Sequence, residues 1–159
     1  MHVVVATDGS PQSLAAARHL RSFADPAKIT TISVVAVIRP LASVAFADEI
    51  SETQQRHAGE WTGSFREAAQ GALDAVAAVF DGWGPTVDKQ IRSGSPAAEI
   101  IEAAEESDAG LVVVAAGGRG ISDAFLVGST AERVQHYAPC PVLVVRPARR
   151  PRRTVPRKP

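Results

Sequence analysis

Apolar runs recur five times along this chain, at 2–7 (HVVVAT), 29–38 (ITTISVVAVI), 86–92, 111–115 (LVVVA) and 142–145 (VLVV). Most are near-continuous rather than alternating, as expected of parallel strands covered on both faces. The run at 86–92 alternates with polar residues and predicts a strand at a sheet edge. The segments between the runs carry helical signals. Ser10-Pro11 places a hydroxyl at an N-cap and a proline at the first helical position, and Leu14, Ala17, Arg18 and Leu20 continue the helix toward Asp25-Pro26. Ser95-Pro96 repeats that start ahead of a helix over 97–107. Ile50, Trp61, Phe65, Ala69, Leu73, Val76 and Phe80 recur near helical spacing over 49–80, after a loop at 41–48. Gly59, Gly63 and Gly71 weaken the case for one unbroken rod there. A short helix over 130–137 begins at Gly128-Ser129-Thr130, where Ser129 and Glu132 have the spacing of a capping box.

Strands and helices therefore alternate from end to end. That pattern calls for right-handed crossovers and a doubly wound parallel sheet of the α/β class, five-stranded, with helices on both faces. At 159 residues there is room for one domain with a full core, and no internal repeat is visible.

Composition adds two constraints. No apolar run approaches the ~20 residues of a membrane span, and MHVVVATDGS lacks the charged start of a signal peptide. The single cysteine, Cys140, allows no intramolecular disulfide and fits a reducing interior, so a cytoplasmic protein is expected. The zero net charge conceals an asymmetry. Seventeen acidic and ten basic residues precede position 146, whereas seven basic and no acidic residues follow from Arg146 onward. An acidic body argues against a nucleic-acid-binding core. The proline-rich, basic segment 147–159 has no apolar periodicity and is expected to be a disordered tail. Its charge fits a solubilising or self-neutralising extension as well as a nucleic-acid or membrane contact.

In doubly wound sheets, ligands bind beyond the carboxyl ends of the strands, where the winding reverses. Three positions fall at such ends: Thr7-Asp8 after the first strand, Val37 near the end of the second, and Gly117 after the fourth. Gly117, Gly118 and Gly120, followed by the helix start at Gly128, Ser129 and Thr130, are the parts of an anion site. Backbone N–H groups are unobstructed there, and the helix N-terminus carries partial positive charge. The expected ligand is a nucleotide. Its phosphates would lie on the glycine loop, its ribose or a metal-bound phosphate at Asp8, and its base against Val37. Asp8 also fits a plain strand-to-helix turn, and Arg119 fits either the ligand or an acidic surface partner. His2, His19, His57 and His136 show no metal spacing, Cys140 reads as a small packed residue, and Trp61 and Trp83 read as packing anchors.

Three stretches together resemble the universal stress protein family: VVVATDGSPQS, RSGSPAAEIIEAAEESDAGLVVVAAGGRG and VGSTAERVQHYAPCPVLVV. The resemblance covers residues 1–146. It implies an adenine nucleotide α-hydrolase-like sheet in the order 3-2-1-4-5, with a homodimer through the last strand, 142–145. The family's ATP-binding branch carries a motif of Gly, two residues, Gly, nine residues, then Gly followed by Ser or Thr. Gly117, Gly120, Gly128 and Ser129 fit its residue types, but 121–127 is seven residues rather than nine. By the same resemblance Asp8 matches the acidic residue after the first strand, and Val37 the base-contacting position. The cofactor implied is ATP with Mg²⁺, bound by a stress-response regulator rather than an enzyme. Two alternatives stand beside it: a dimeric module without nucleotide, and a slow ATP hydrolase. Nucleotide-hydrolysing and adenylyl-transferring relatives of this fold need a serine- and glycine-rich or paired-histidine loop after the first strand. Thr7-Asp8-Gly9-Ser10 is neither, and no GKS/T phosphate loop is present.

Overall fold

The computed structural model describes residues 1–39, 52–117 and 128–146. Its elements are β1 (His2–Thr7), α1 (Pro11–Phe23), β2 (Thr31–Ile38), α2 (Glu52–Ala77), β3 (Thr86–Ser93), α3 (Pro96–Glu106), β4 (Ala109–Ala115), α4 (Ser129–Tyr137) and β5 (Val142–Val145). The strands form one parallel sheet in the order β3-β2-β1-β4-β5.

The continuous apolar runs acquire two faces by simple alternation. Val3, Val5, Ile32, Val34 and Val113 point one way, onto Ala16, Ala17 and Leu20 of α1 and Leu73 and Val76 of α2. Val4, Val35, Val112 and Val114 point the other way, onto Ala97, Ile100, Ala103 and Ala104 of α3 and Ala131 and Val134 of α4. Both faces of the central strands are therefore covered, which is why β1, β2 and β4 are mostly apolar, with the buried Ser33 hydroxyl hydrogen-bonded to His2.

Several boundaries differ from the sequence expectation, each for a local reason. Strand β2 begins at Thr31 rather than Ile29, because Asp25 caps a 3₁₀ turn over Pro26–Lys28 and the N–H of Ile29 is used to close it. Helix α1 correspondingly stops at Phe23. Strand β4 starts earlier, at Ala109, with an irregularity in its pairing to β1 between His2 and Val3. Helix α2 runs unbroken for 26 residues through its glycines and ends in a 3₁₀ turn, Ala78–Phe80. Each interior glycine costs about 1 kcal/mol relative to alanine. Burial of Leu73, Val76 and Phe80, each about 1% exposed, outweighs that cost.

The capping-box reading of α4 does not hold. Gly128, not Ser129, is the cap, at φ −52° and ψ 149°, and Ser129 is already the first helical residue. Glycine has no side chain to accept from the first turn, so no side-chain cap bond forms. By contrast, Ser10 caps α1 as expected, its hydroxyl accepting from Ser13 N at 3.2 Å.

Arg92 of β3 fastens α3 to the sheet. Its Nε donates to Glu99 at 3.0 Å, its Nη1 and Nη2 donate to Glu106 at 2.8 and 3.0 Å, and Nη2 lies 3.3 Å from Glu102. Losing the guanidinium would leave three carboxylates facing one another. Arg92→Gln is expected to cost about 1–3 kcal/mol in a urea melt at neutral pH. Arg92 holds the Glu106 carboxyl below its usual range. A lowered folded-state pKa stabilises above the unfolded pKa, and that stabilisation is lost as pH falls through the folded value. The difference between Arg92→Gln and wild type should therefore shrink on acidification below the carboxylate range. A constant difference would refute the ion-pair account.

Candidate functional site: a cleft at the carboxyl ends of β1, β2 and β4

Because β1 is flanked by β2 and β4, the loops leaving β1 and β4 part in opposite directions and open a cleft between them. Its volume is about 400 Å³, within the range of small-molecule sites. The lining includes Thr7 and Asp8 after β1, Val37 near the end of β2, Gly117 after β4, and Gly128, Ser129 and Thr130 at the start of α4. Seven of the nine residues singled out from sequence thus meet in one place. The other two, Arg119 and Gly120, lie outside the described residues.

The β1 end is built by a compact set of hydrogen bonds. Asp8 Oδ1 accepts from Ser10 N at 2.9 Å, turning the chain from the strand into α1. Gly9, at φ +76°, completes that turn. Below it, Thr7 Oγ1 accepts from Gly9 N at 3.2 Å and lies 2.9 Å from Ser13 Oγ, whose hydroxyl donates to Ser10 O at 2.9 Å. Thr7 and Ser13 are both buried. With the Ser13 proton committed to Ser10, the Thr7 proton is directed at Ser13. Asp8 therefore makes the strand-to-helix turn considered from sequence, and it also lines the cleft.

On the β2 side the wall is apolar, from Val35 and Val37, with Ile100 and Pro96 of α3 across from them. Gly94 N donates to Ile38 O at 3.0 Å, so the Ile38 carbonyl faces β3. Main-chain groups alternate in direction along a strand, so the Val37 carbonyl faces the β1 side. The β1–β2 pairing ends there, at Thr7↔Ala36.

On the β4 side, Gly117 turns the chain at φ +77°, and nothing among the described residues lies within 4 Å of where its side chain would be. Ala116 N donates to Val145 O at 2.8 Å and ties this exit to β5. Gly128, Ser129 and Thr130 bring the uncapped first turn of α4 to the same wall. A helix N-terminus whose cap residue supplies no side-chain acceptor attracts an anion through its N–H groups and dipole.

Sequence reading missed Ser13, Arg39, Pro96 and Ile100 as cleft residues. Arg39 carried a signal, lying two positions beyond Val37 on the same strand face; the two α3 residues did not, since only packing brings that helix over β1. The remaining candidates are local. His2 Nε2 is 2.8 Å from Ser33 Oγ, His19 packs on Phe23, and His136 on Tyr137. Among the described residues no cluster of three or more His, Cys, Asp or Glu could hold a metal. Cys140 packs against the α3–α4 core, and burial pushes its thiol pKa up, away from the reactive thiolate. Trp83 packs against Phe80, with ring centroids 5.6 Å apart; the Trp61 and His57 side chains lie outside those described.

A five-stranded parallel sheet in this order, with a glycine-lined cleft at its switch point, defines a doubly wound α/β protein of the adenine nucleotide α-hydrolase-like fold. The model of the universal stress protein family matches residues 1–146, and the chain belongs to that family. It is 36% identical over 148 residues to a universal stress protein of Methanocaldococcus jannaschii, covering 91% of this chain and 81% of the relative. Among solved structures, a hypothetical protein whose biochemical function was assigned from its structure superposes with a TM-score of 0.76. It is 22% identical, with 92% of this chain and 96% of that one covered. A universal stress family protein of Arabidopsis thaliana with AMP bound gives a TM-score of 0.64 at 17% identity, covering 92% and 91%. A universal stress protein in complex with cAMP gives 0.58 at 23% identity, covering 91% and 95%.

Proposed function

We propose that this chain is a cytoplasmic, ATP-binding regulator of the stress response, acting through the conformation or partners that nucleotide occupancy selects. The observation that carries this reading is the convergence of Asp8, Val37, Gly117 and the Gly128-Ser129-Thr130 helix start on one cleft. In this reading the phosphates lie against the first turn of α4 and the glycine exit of β4. The base rests on Val37, whose carbonyl accepts from an exocyclic amine. Relatives holding AMP and cAMP support an adenine nucleotide. Mg²⁺ is usually held by one or two carboxylates together with substrate phosphates. Asp8 is a carboxylate at the edge of the cleft and fits that role; the metal would neutralise phosphate charge there.

Binding rather than turnover is favoured by the cleft's chemistry. Its described lining contains no histidine, lysine or cysteine, and the Asp8 carboxylate is already engaged in the turn by Ser10 N. The Ser13 hydroxyl donates inward, to Ser10 O. The test is to denature protein purified from cells and identify any released nucleotide, then to follow ATP over time with fresh protein. Absence of nucleotide together with no titratable binding would favour the ligand-free dimeric module. Rapid turnover would make it an enzyme.

The nucleotide-binding unit is proposed to be residues 1–146, with 147–159 as a separate tail that lies outside the described residues. Among the described residues no helix is long and apolar enough to cross a membrane. A homodimer is proposed through β5, an edge strand whose four apolar residues are only half-buried. Such an edge invites pairing with another strand. Val144→Lys is expected to halve the mass seen by light scattering at micromolar concentration, with circular dichroism unchanged. A wild-type monomer, or an unaltered mass in the variant, would refute the interface.

A further inference from the structure

The cleft carries a cation that the family motif does not account for. Arg39 follows β2 directly and lines the cleft on the same face as Val35 and Val37, four and two residues before it. Its side chain is exposed, and among the described residues it has no hydrogen-bond or ion-pair partner. Arg92, the neighbouring arginine on β3, is by contrast fully engaged with glutamates.

Position decides what Arg39 meets. The glycine exit belongs to β4, and β1 lies between β4 and β2, so the two walls stand about 9–10 Å apart. The backbone of Arg39 therefore stands on the opposite wall of the cleft from the first turn of α4. Val35 and Val37 share its strand face and Ile100 lines the same cleft, apolar surface suited to a flat ring rather than to phosphate. A guanidinium is itself planar and weakly hydrated, and it stacks favourably on an aromatic face.

We propose that Arg39 is a ligand-binding residue that holds the base of the bound nucleotide, stacking its guanidinium on the ring face opposite Val37 and Ile100. This rests on the nucleotide reading above. It makes the base, not only the phosphates, a determinant of affinity in this chain.

The experiment is calorimetric titration of the full chain, with Mg²⁺, against adenosine, AMP and ATP, for wild type, Arg39→Ala and Arg39→Lys. A stacking contact predicts that Arg39→Ala loses about tenfold in affinity, by a similar factor for all three ligands. Arg39→Lys keeps the charge but not the plane, so it should recover little of the loss. The loss should also persist at raised salt. A loss that grows from adenosine to ATP, or that lysine restores, would place Arg39 on the phosphates and overturn the proposal. So would equal affinities in all three proteins. If wild type binds none of the three, the nucleotide reading fails and the proposal falls with it; wild-type binding with an unchanged Arg39→Ala overturns the proposal alone.

Discussion

Gly128→Val is expected to lower ATP affinity at least about tenfold while leaving the fold intact. Gly128 caps α4 at φ −52°, a backbone conformation open to any residue, so a side chain there introduces no left-handed strain. It does stand at the cleft wall, beside the N–H groups of the first turn of α4. A valine would hold phosphate away from donors whose value comes from close approach. Losing one hydrogen bond to a charged group costs about 1.5–3 kcal/mol, and about 1.4 kcal/mol corresponds to a tenfold change in affinity. Gly117 is a less clean site for the same test. Its φ of +77° means that a side chain also costs about 1–2 kcal/mol in the backbone, mixing folding with binding. Asp8→Ala should weaken binding as well, with a stability loss of about 1 kcal/mol from the bond to Ser10 N. The measurement is calorimetric titration with ATP and Mg²⁺, with circular dichroism to confirm folding. A folded Gly128→Val that binds as tightly as wild type would mean that the nucleotide lies elsewhere.

Phe80→Ala should produce the largest loss of stability among single core truncations. Phe80 ends the 3₁₀ turn after α2, is 1% exposed, and packs in the cluster that joins α1, α2 and the sheet. Removing a buried phenylalanine side chain loses both its transfer free energy and the contacts around the cavity, about 3–5 kcal/mol. For a domain of this size that is roughly 10 °C in Tm. Trp83, whose ring lies 5.6 Å from that of Phe80, would lose its packing partner, so its fluorescence should report the cavity directly. Phe23 offers the control, because it is a large aromatic that is 60% exposed. Phe23→Ala should shift Tm by no more than about 2 °C. Similar shifts for both variants would refute the assignment of the core.

Local chemistry wrote much of this molecule into its sequence. The apolar runs became strands because a strand covered on both faces must be mostly apolar, and that requirement is visible without a structure. The Ser10-Pro11 start was legible because an N-cap hydroxyl acts within three residues, as the bond from Ser13 N shows. The strand order was not in the runs themselves; it followed from resemblance in three motif-bearing stretches, and the sheet carries it. The capping box failed for a related reason. Ser129 and Glu132 had the right spacing, but where a helix begins depends on backbone angles at Gly128 that spacing does not encode. Likewise α2 continues through Gly63 and Gly71 because Leu73, Val76 and Phe80 are buried by partners far away in sequence.

The candidate site divides in the same way. Asp8, Val37 and Gly117 were legible because each sits at a strand end, and Gly128 because it precedes a helix start, places that sequence alone determined. Tertiary structure decided what they share the cleft with. Pairing of β1 with β4 sets Asp8 on the same cleft as Gly117, and the crossover packing of α3 brings in Pro96 and Ile100. The Ser13 hydroxyl reaches the cleft floor because the first turn of α1 folds back onto Thr7. Arg39 gains its meaning from having no described partner there, which depends on every neighbouring chain segment at once. Short-range rules acting over a few residues set strands, turns and helix starts; long-range packing alone set which side chains face one another across the cleft.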